Sequence, residues 1–148
     1  MATGVLAQIR KLSMTDYQDI YALWASTPGM GLNDVDDSRT GIEKYLRRNP
    51  DTCFVAVDSG KIVGCILSGH DGRRGYIYHA AVAPESQNRG VGSALLEAAV
   101  KALQAEDIQK ASLVVFKENL RGNAFWDHVG FHAREDLIYR NKVLTEAK

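Results

Sequence analysis

Cysteine is scarce in this chain, which has only two among 148 residues. Cys53 and Cys65 both lie inside apolar runs, with no Cys-x-x-Cys spacing and no histidine at a ligand spacing nearby. Two small buried hydrophobic residues explain this placement better than a disulfide or a catalytic thiol does. A metal site is not expected either, because Gly130 separates His128 from His132 and ends any helix that would align them.

Neither sign of charge is in excess, since Lys and Arg number 18 and Asp and Glu also number 18. No net field favours nucleic acid or an acidic membrane surface, so we expect neither as a partner. The start of the chain lacks the basic and then apolar pattern of an export signal, and the most apolar helical stretch carries Glu97 and Lys101. We therefore expect a cytoplasmic protein. With 45% hydrophobic residues, residues 1–148 are expected to form a single globular domain.

Glycine is informative where residues 82–92 join a strand-like run, Tyr76 to Ala83, to a helical run, Ser93 to Gln104. A loop of this kind directs several unpaired backbone N–H groups, with the partial positive charge of the helix start, at one point. Gly90 and Gly92 allow positive φ and let a ligand touch the backbone. The loop therefore predicts an anion site, most simply for a phosphate-bearing ligand.

Hydrophobic periodicity and turn residues predict an α/β order for the rest of the chain. Strands are predicted at residues 6–12, 53–58, 61–68, 76–83, 111–116 and 137–143, and helices at about 15–26, 38–49, 93–104 and 120–128. Thr15 to Gln18 form a predicted capping box for the first helix, and Ser59-Gly60 a predicted hairpin turn.

Two motifs in this order resemble the GCN5-related N-acetyltransferase (GNAT) family. The family pattern of Gln or Arg, two residues, Gly, one residue, and Gly or Ala is matched by Gln87, Gly90 and Gly92. A second landmark is matched by Asn119, Phe125-Trp126 and Gly130-Phe131. The resemblance covers nearly the whole chain and implies a GNAT-type α/β fold, with a mixed, strongly twisted sheet of about seven strands flanked by about four helices. A dinucleotide-binding Rossmann domain fits less well, because its third glycine is missing and hairpin strands precede the loop.

The resemblance implies an N-acetyltransferase that moves an acetyl group from acetyl-CoA to a primary amine by direct attack, without a metal. The Val82 N–H would donate to the thioester carbonyl as the oxyanion forms. Asn119 would bind the pantetheine arm or merely cap a helix, and Trp126 would line the thioester or merely pack in the core. The expected contacts of acetyl-CoA are Val82, Ala83, Gln87, Asn88, Arg89, Gly90, Val91, Gly92, Ser93, Asn119 and Trp126.

Several side chains that family members use to move protons are missing. Trp126 stands where many members have a tyrosine, and Val114 and Tyr76 stand where a carboxylate base is common. His79 has the most suitable reference pKa for a proton relay, although strand alternation could turn it away from the site. Tyr78 and Tyr139 are further candidates, but phenols suit an acid role better than a base role.

Substrate choice is expected to depend on the loop Pro28 to Asp37 and the turn His70 to Arg74, which carry opposite charges. Acidic residues would attract an ammonium group and arginines would hold a carboxylate, which together suit an amino acid or a peptide end. The simpler alternative is that Asp36 and Asp37 cap the next helix and that the arginines are solvated. The candidate substrate contacts are Asp34, Asp71, Arg73 and Arg74.

Three functions remain open from the sequence alone. A small-molecule amine or amino acid is the favoured acceptor, a protein or peptide N-terminus is the second, and a noncatalytic acyl-CoA-binding regulatory module is the third. The predicted last strand, Leu137 to Val143, would allow pairing in a homodimer if it lay at a sheet edge.

Overall fold

The computed structural model describes residues 7–145, which form two compact units that meet in the chain between Val114 and Val115. The first residue of the predicted strand 6–12 lies outside the described residues. The strands, all in the first unit, are β1 (Gln8–Lys11), β2 (Phe54–Asp58), β3 (Lys61–His70), β4 (Gly75–Val82) and β5 (Ala111–Ser112). The helices are α1 (Tyr17–Ala25), α2 (Arg39–Arg48) and α3 (Val91–Ala105) in the first unit and α4 (Leu120–His128) in the second.

The five strands form one mixed sheet in the order β1-β2-β3-β4-β5. The first four are antiparallel to their neighbours, whereas β4 and β5 are parallel and pair only through Gly75 with Ala111 and Tyr76 with Ser112. A tight hairpin joins β2 to β3, with φ values of +54° at Ser59 and +77° at Gly60. Positive φ at both central residues matches the twist of the flanking strands. The α/β class, the mixed sheet, the four helices and this turn confirm the prediction.

The predicted count of about seven strands is too high, since five are present in the described residues. The strand predicted at 111–116 ends at Ser112, and the segment 137–143 forms no strand within residues 7–145. Val114, Phe116 and most apolar residues of the later segment are exposed. Alternating apolar residues favour an extended chain, but a strand also requires a partner for its backbone groups. That partner is not visible in the local sequence.

Helices cover both faces of β3, which is buried along most of its length. Gly64 lies against Val91 and Leu95 of α3, and an added Cβ there would come within 2.9 Å of Leu95. Gly69 lies against Tyr45 of α2 and against Asn49, which follows that helix. These two glycines are five positions apart and so point to opposite faces. The largest fully buried side chains are Trp24, Ile20, Ile42, Ile66, Leu95 and Val55.

The start of α1 differs from its predicted capping box. Asp16 accepts a hydrogen bond from the backbone N–H of Ser13 at 2.9 Å and two more from the guanidinium of Arg10, also at 2.9 Å. Asp16 therefore caps the backbone N–H of Ser13, three positions before it. The capping box predicted at Thr15 to Gln18 is wrong. No helix within residues 7–145 combines the length and apolar character needed to cross a membrane.

Candidate functional site

The start of α3 has a glycine of positive φ and no capping side chain. Gly90 is the N-cap with φ of +80°, and no side chain caps the helix. The bond from the Ala94 N–H to the Gly90 carbonyl at 3.0 Å begins the helical series, so the N–H groups of Val91 to Ser93 precede it. No acidic residue lies in the first turn. These N–H groups and the helix dipole can therefore hold a phosphate without competition from a capping side chain.

At the end of β4, some backbone groups point away from β3, on the side of the strand where β5 pairs only with Gly75 and Tyr76. The Ala83 N–H donates to Val63 of β3 at 2.8 Å. Because successive backbone groups of a strand point in opposite directions, the Val82 N–H and carbonyl point away from β3. Gln87 reaches this edge and donates through Nε2 to the Val82 carbonyl at 3.1 Å. The glycine loop and the strand end are thus tied together, and the Val82 N–H has the direction that an oxyanion donor needs.

A bulge in β4 changes which side chains share a face. Leu67 of β3 pairs with His79 and Ser68 pairs with Ile77, so Tyr78 is an extra residue in β4. Tyr76 pairs with Gly69, which faces α2, and the His79 ring lies against Trp24 of α1. Regular alternation would place residues 76 and 79 on opposite faces. The bulge instead brings both to the face covered by α1 and α2.

His79 is paired with a residue that sequence reasoning did not select as a partner. Its Nε2 lies 2.8 Å from Oδ1 of Asp37, and both side chains are nearly inaccessible, at 10% and 7% exposure. Trp24 packs against the His79 ring with a centroid distance of 4.7 Å. Burial works against ionisation of Asp37, but hydrogen bonds from His79 and from the Asn33 N–H outweigh it and lower the pKa of the carboxyl. Asp37 is therefore a carboxylate at neutral pH.

Three tyrosines lie together on the same face of the sheet. The Tyr78 ring is 4.6 Å from that of Tyr76 and 5.7 Å from that of Tyr45, and 57% of Tyr78 is exposed. Burial raises the pKa of Tyr45, so its phenol stays protonated. In the structure, Tyr78 is an exposed residue of an aromatic cluster. Its role in proton transfer stays a prediction.

The two predicted substrate loops are organised by their own polar residues. In the turn after β3, Asp71 accepts from the backbone N–H groups of Arg73 and Arg74 at 2.8 and 2.9 Å. These hydrogen bonds, that from Arg74 more than that from Arg73, lower the pKa of Asp71. The arginine side chains themselves are exposed. In the loop before α2, Asp34 is exposed, whereas Asp37 accepts from the Asn33 N–H at 2.8 Å.

The helix after this loop is capped by Ser38, whose Oγ accepts from the Gly41 N–H at 3.0 Å. The alternative that Asp36 and Asp37 cap α2 is therefore wrong. The roles of Asp34, Asp71, Arg73 and Arg74 in substrate binding stay predictions.

The remaining predicted site residues belong to the second unit. Asn119 caps α4 by accepting from the Gly122 N–H at 2.9 Å. Trp126 lies against Phe125 and Phe131, at centroid distances of 5.0 and 5.3 Å. Tyr139 is exposed. Capping and packing thus account for Asn119 and Trp126 within their own unit, and their contacts with acetyl-CoA stay predictions.

Both cysteines are buried thiols inside the first unit. Burial raises the pKa of the Cys53 thiol to about 12 and that of Cys65 well above its ordinary value, so both stay protonated. Within residues 7–145, no three side chains of His, Cys, Asp or Glu are grouped so as to hold a metal ion.

Comparison with known proteins gives a consistent result. The model of the acetyltransferase (GNAT) family matches residues 17–131. Acetyltransferase plu1384 of Photorhabdus laumondii is 35% identical over 141 residues, which are 94% of this chain and 97% of that protein. The structure of Ard1 from Thermoplasma volcanium has a TM-score of 0.76 at 23% identity, covering 85% of this chain and 82% of that one. AAC(6')-Iy, solved with the bisubstrate analogue CoA-S-monomethyl-acetylneamine, has a TM-score of 0.72 at 20% identity, covering 93% and 98%.

Proposed function

The chain belongs to the GNAT acetyltransferase family, and we propose that it transfers the acetyl group of acetyl-CoA to the primary amine of a small molecule. The observation that carries this proposal is the continuity of the β4 end with the uncapped start of α3. Within residues 82–93 the chain offers a strand edge, an outward N–H at Val82 and an anion site. These are the contacts that a thioester, a pantetheine amide and a pyrophosphate need.

Acetyl-CoA would lie along this segment with its pyrophosphate on the N–H groups from Asn88 to Ser93. The pantetheine amides would pair with the outer edge of β4 as an added strand does. Gln87 would hold the strand end through the Val82 carbonyl rather than bind the phosphates itself. Backbone groups would therefore provide most of the binding, which explains why few side chains in this segment need to be charged.

The reaction would begin when the neutral amine attacks the thioester carbonyl carbon. The N–C bond forms, the carbonyl oxygen gains negative charge, and the Val82 N–H donates to it. Collapse of this intermediate breaks the C–S bond and releases coenzyme A as the thiolate. Holding amine and thioester together removes an entropic barrier that reaches about 7 to 11 kcal/mol in well-oriented systems.

A small molecule is the favoured acceptor because AAC(6')-Iy, which shares the fold, was solved with an acetylneamine analogue. Its identity to this chain is 20%, so the acceptor class is a proposal. The test measures thiol release from acetyl-CoA with aminoglycosides, polyamines, free amino acids and peptides of varied N-termini. Release with the small amines alone supports the proposal. Release with peptides alone would replace it by a peptide N-acetyltransferase, and binding of acetyl-CoA without release would indicate a regulatory module.

The oxyanion role of Val82 has a direct test, because proline removes a backbone N–H and fits a strand edge. The Val82 N–H does not contribute to pairing with β3, so Val82→Pro is expected to fold. We expect its kcat to fall about 100-fold, as for the loss of one oxyanion donor. Val82→Ala keeps the N–H and is the matched control, with kcat expected near that of the wild type. Equal kcat in the two variants would remove Val82 from the mechanism.

A further inference from the structure

One nitrogen of the buried His79 ring is left without a partner among residues 7–145. Nε2 is bonded to Asp37, whereas Nδ1 is buried and makes no hydrogen bond in the described part of the chain. A buried polar atom without a partner lowers stability, because its interactions with water are lost and not replaced. Such an atom in a native protein calls for an explanation, and a catalytic role is one of the recognised explanations.

The partner on the other side of the ring determines what Nδ1 can do. Asp37 is ionised and can only accept hydrogen bonds, so the hydrogen of the pair must lie on Nε2 of His79. In a neutral imidazole with hydrogen on Nε2, Nδ1 carries a free lone pair. The Asp37 carboxylate therefore leaves the ring with a basic nitrogen on its far side.

Asp37 is itself fixed from two directions. Its Oδ2 accepts from the Asn33 N–H at 2.8 Å, and its backbone carbonyl accepts from the Tyr17 hydroxyl at 2.7 Å. Trp24 of α1 then limits rotation of the His79 ring. The carboxylate and the imidazole are thus held in one orientation by α1, by the loop before α2 and by β4.

We propose that Asp37 is a positioning residue, which holds His79 with Nδ1 free to take the proton of the acceptor amine during acetyl transfer. The proposal rests on the acetyltransferase function proposed above. His79 lies three residues before Val82 on the same strand, so the base and the oxyanion donor share one element. This pair would supply the proton acceptor that Val114 and Tyr76 cannot provide.

The proton step balances without a further reactant. As the amine nitrogen bonds to the carbonyl carbon, one of its protons passes to Nδ1, and His79 becomes an imidazolium that Asp37 stabilises. Breakage of the C–S bond leaves the electron pair on sulfur, and the coenzyme A thiolate takes a proton from solvent. The imidazolium returns its proton to solvent, which restores the starting state.

The groups that face the His79 ring limit the sources of any pH effect. Asp37 is the charged group in hydrogen-bond contact with it. Trp24 packs on the ring from α1, Leu67 lies opposite on β3, and Tyr17 bonds to the main chain of Asp37. These three are uncharged at neutral pH, and the pKa of Tyr17 is raised, chiefly by burial.

The first experiment reads the tautomer directly, without activity. Nitrogen NMR of protein labelled with ¹⁵N-histidine distinguishes protonated from unprotonated ring nitrogens, and the signals of His79 are assigned by their loss in His79→Gln. The expected wild-type state at neutral pH has hydrogen on Nε2 and a bare Nδ1. In Asp37→Asn we expect a mixture of tautomers, because an amide can either accept or donate. A wild-type ring with hydrogen on Nδ1 would overturn the proposal, even if Asp37→Asn does not fold.

The second experiment compares turnover in Asp37→Asn, His79→Ala and Asp16→Asn. Asp16 is the matched control, because it is also a buried aspartate with a hydrogen-bonded basic partner but lies outside the proposed machinery. With saturating amine and acetyl-CoA, we expect kcat to fall about 10- to 100-fold in Asp37→Asn and about 100-fold or more in His79→Ala. The KM for acetyl-CoA should stay within about twofold in both, since neither residue is among the proposed contacts of that substrate.

The pH profile separates positioning from a merely structural effect. Turnover of the wild type and of Asp37→Asn is measured as a function of pH with the same amine. A positioning role predicts that the two pH profiles differ in shape, whereas a merely structural role lowers turnover by the same factor at every pH. If the wild type is active and Asp37→Asn has the same kcat and the same pH profile, this proposal alone is overturned. Absence of amine-dependent thiol release in the wild type would overturn the proposed function and this inference together.

Discussion

Replacement of Gly90 by alanine gives a sharp test of the proposed anion site. Gly90 has φ of +80°, and an added Cβ would meet no atom of the described protein within 4 Å. Alanine at positive φ costs about 1 to 2 kcal/mol in the folded state. The loss of chain freedom in the unfolded state offsets about 0.4 to 1 kcal/mol of this. We therefore expect Gly90→Ala to lower the free energy of unfolding by about 1 kcal/mol, which is a fall in Tm of about 2 to 4 °C at this chain length.

The chain contains a matched control for this substitution. Gly60 has φ of +77° and also has no atom within 4 Å of an added Cβ, but it lies in the hairpin between β2 and β3. Gly60→Ala should therefore show nearly the same fall in Tm. The methyl group at position 90 would stand where the pyrophosphate is proposed to bind, so only Gly90→Ala should weaken coenzyme A binding. We expect its Kd to rise about tenfold or more, which corresponds to about 1.4 kcal/mol.

The assay is calorimetric titration of coenzyme A at a temperature where both variants are fully folded. Thermal unfolding with and without coenzyme A provides a second reading, because a ligand that binds only the folded state raises Tm, and at a fixed ligand concentration the rise is larger for tighter binding. Equal Kd values for Gly90→Ala and Gly60→Ala would refute the placement of the pyrophosphate at this loop. An unchanged Tm in both would refute the strain argument instead.

Two further predictions concern Asp16 and Arg73. Asp16→Asn should lower the free energy of unfolding at pH 7 by about 1 to 2 kcal/mol, because it removes the charge from hydrogen bonds between two charged groups. The effect is not larger because Arg10 is half-exposed, and solvent weakens its attraction to Asp16. Hydrogen bonds to Arg10 lower the pKa of Asp16, so this stabilisation is present above about pH 3.8 and is lost as the pH falls further. Urea unfolding of the wild type and of Asp16→Asn at pH 7 and pH 2 should therefore show that their difference in stability shrinks at the lower pH. Arg73→Ala should raise KM only for amines that carry a carboxylate, and an unchanged KM for every such amine in steady-state kinetics would exclude a carboxylate contact.

Local features of this fold were predictable from the sequence. The helix after the glycine loop has apolar residues at helical spacing, and the structure differs from the predicted range, Ser93 to Gln104, by two residues at the start and one at the end. The hairpin at Ser59-Gly60 and the end of α2 before Pro50 follow from the backbone preferences of single residues. Each of these depends on neighbours within a few positions.

Features that depend on distant partners were not predictable. Asp37 and His79 are 42 positions apart, and neither lies in a motif that would connect them. The bulge at Tyr78 exists only relative to the register of β3. The segment 137–143 alternates as a strand would, but it forms no strand in the described residues. Alternation determines which side chains share a face, but it does not determine which strand lies next to the segment. The one signal that pointed toward the Asp37–His79 pair was a histidine within an otherwise apolar strand.

The extra residue in β4 also affects how the strand tolerates change. It acts as a phase shift between two halves, so that Gly75 to Ile77 follow one alternation and His79 to Val82 follow the other. Deletion of Tyr78 would place Ile77 next to His79, and because these two already face opposite sides of the sheet, both halves would keep their faces and their pairing with β3. Deletion of another residue of the strand, such as Ala80, would instead turn neighbouring side chains to the other face. Insertions in the turn 71–74, by contrast, leave this phase untouched. Length changes in this region should therefore be accepted in the turn and at the extra residue Tyr78, and rejected at the other positions of the strand.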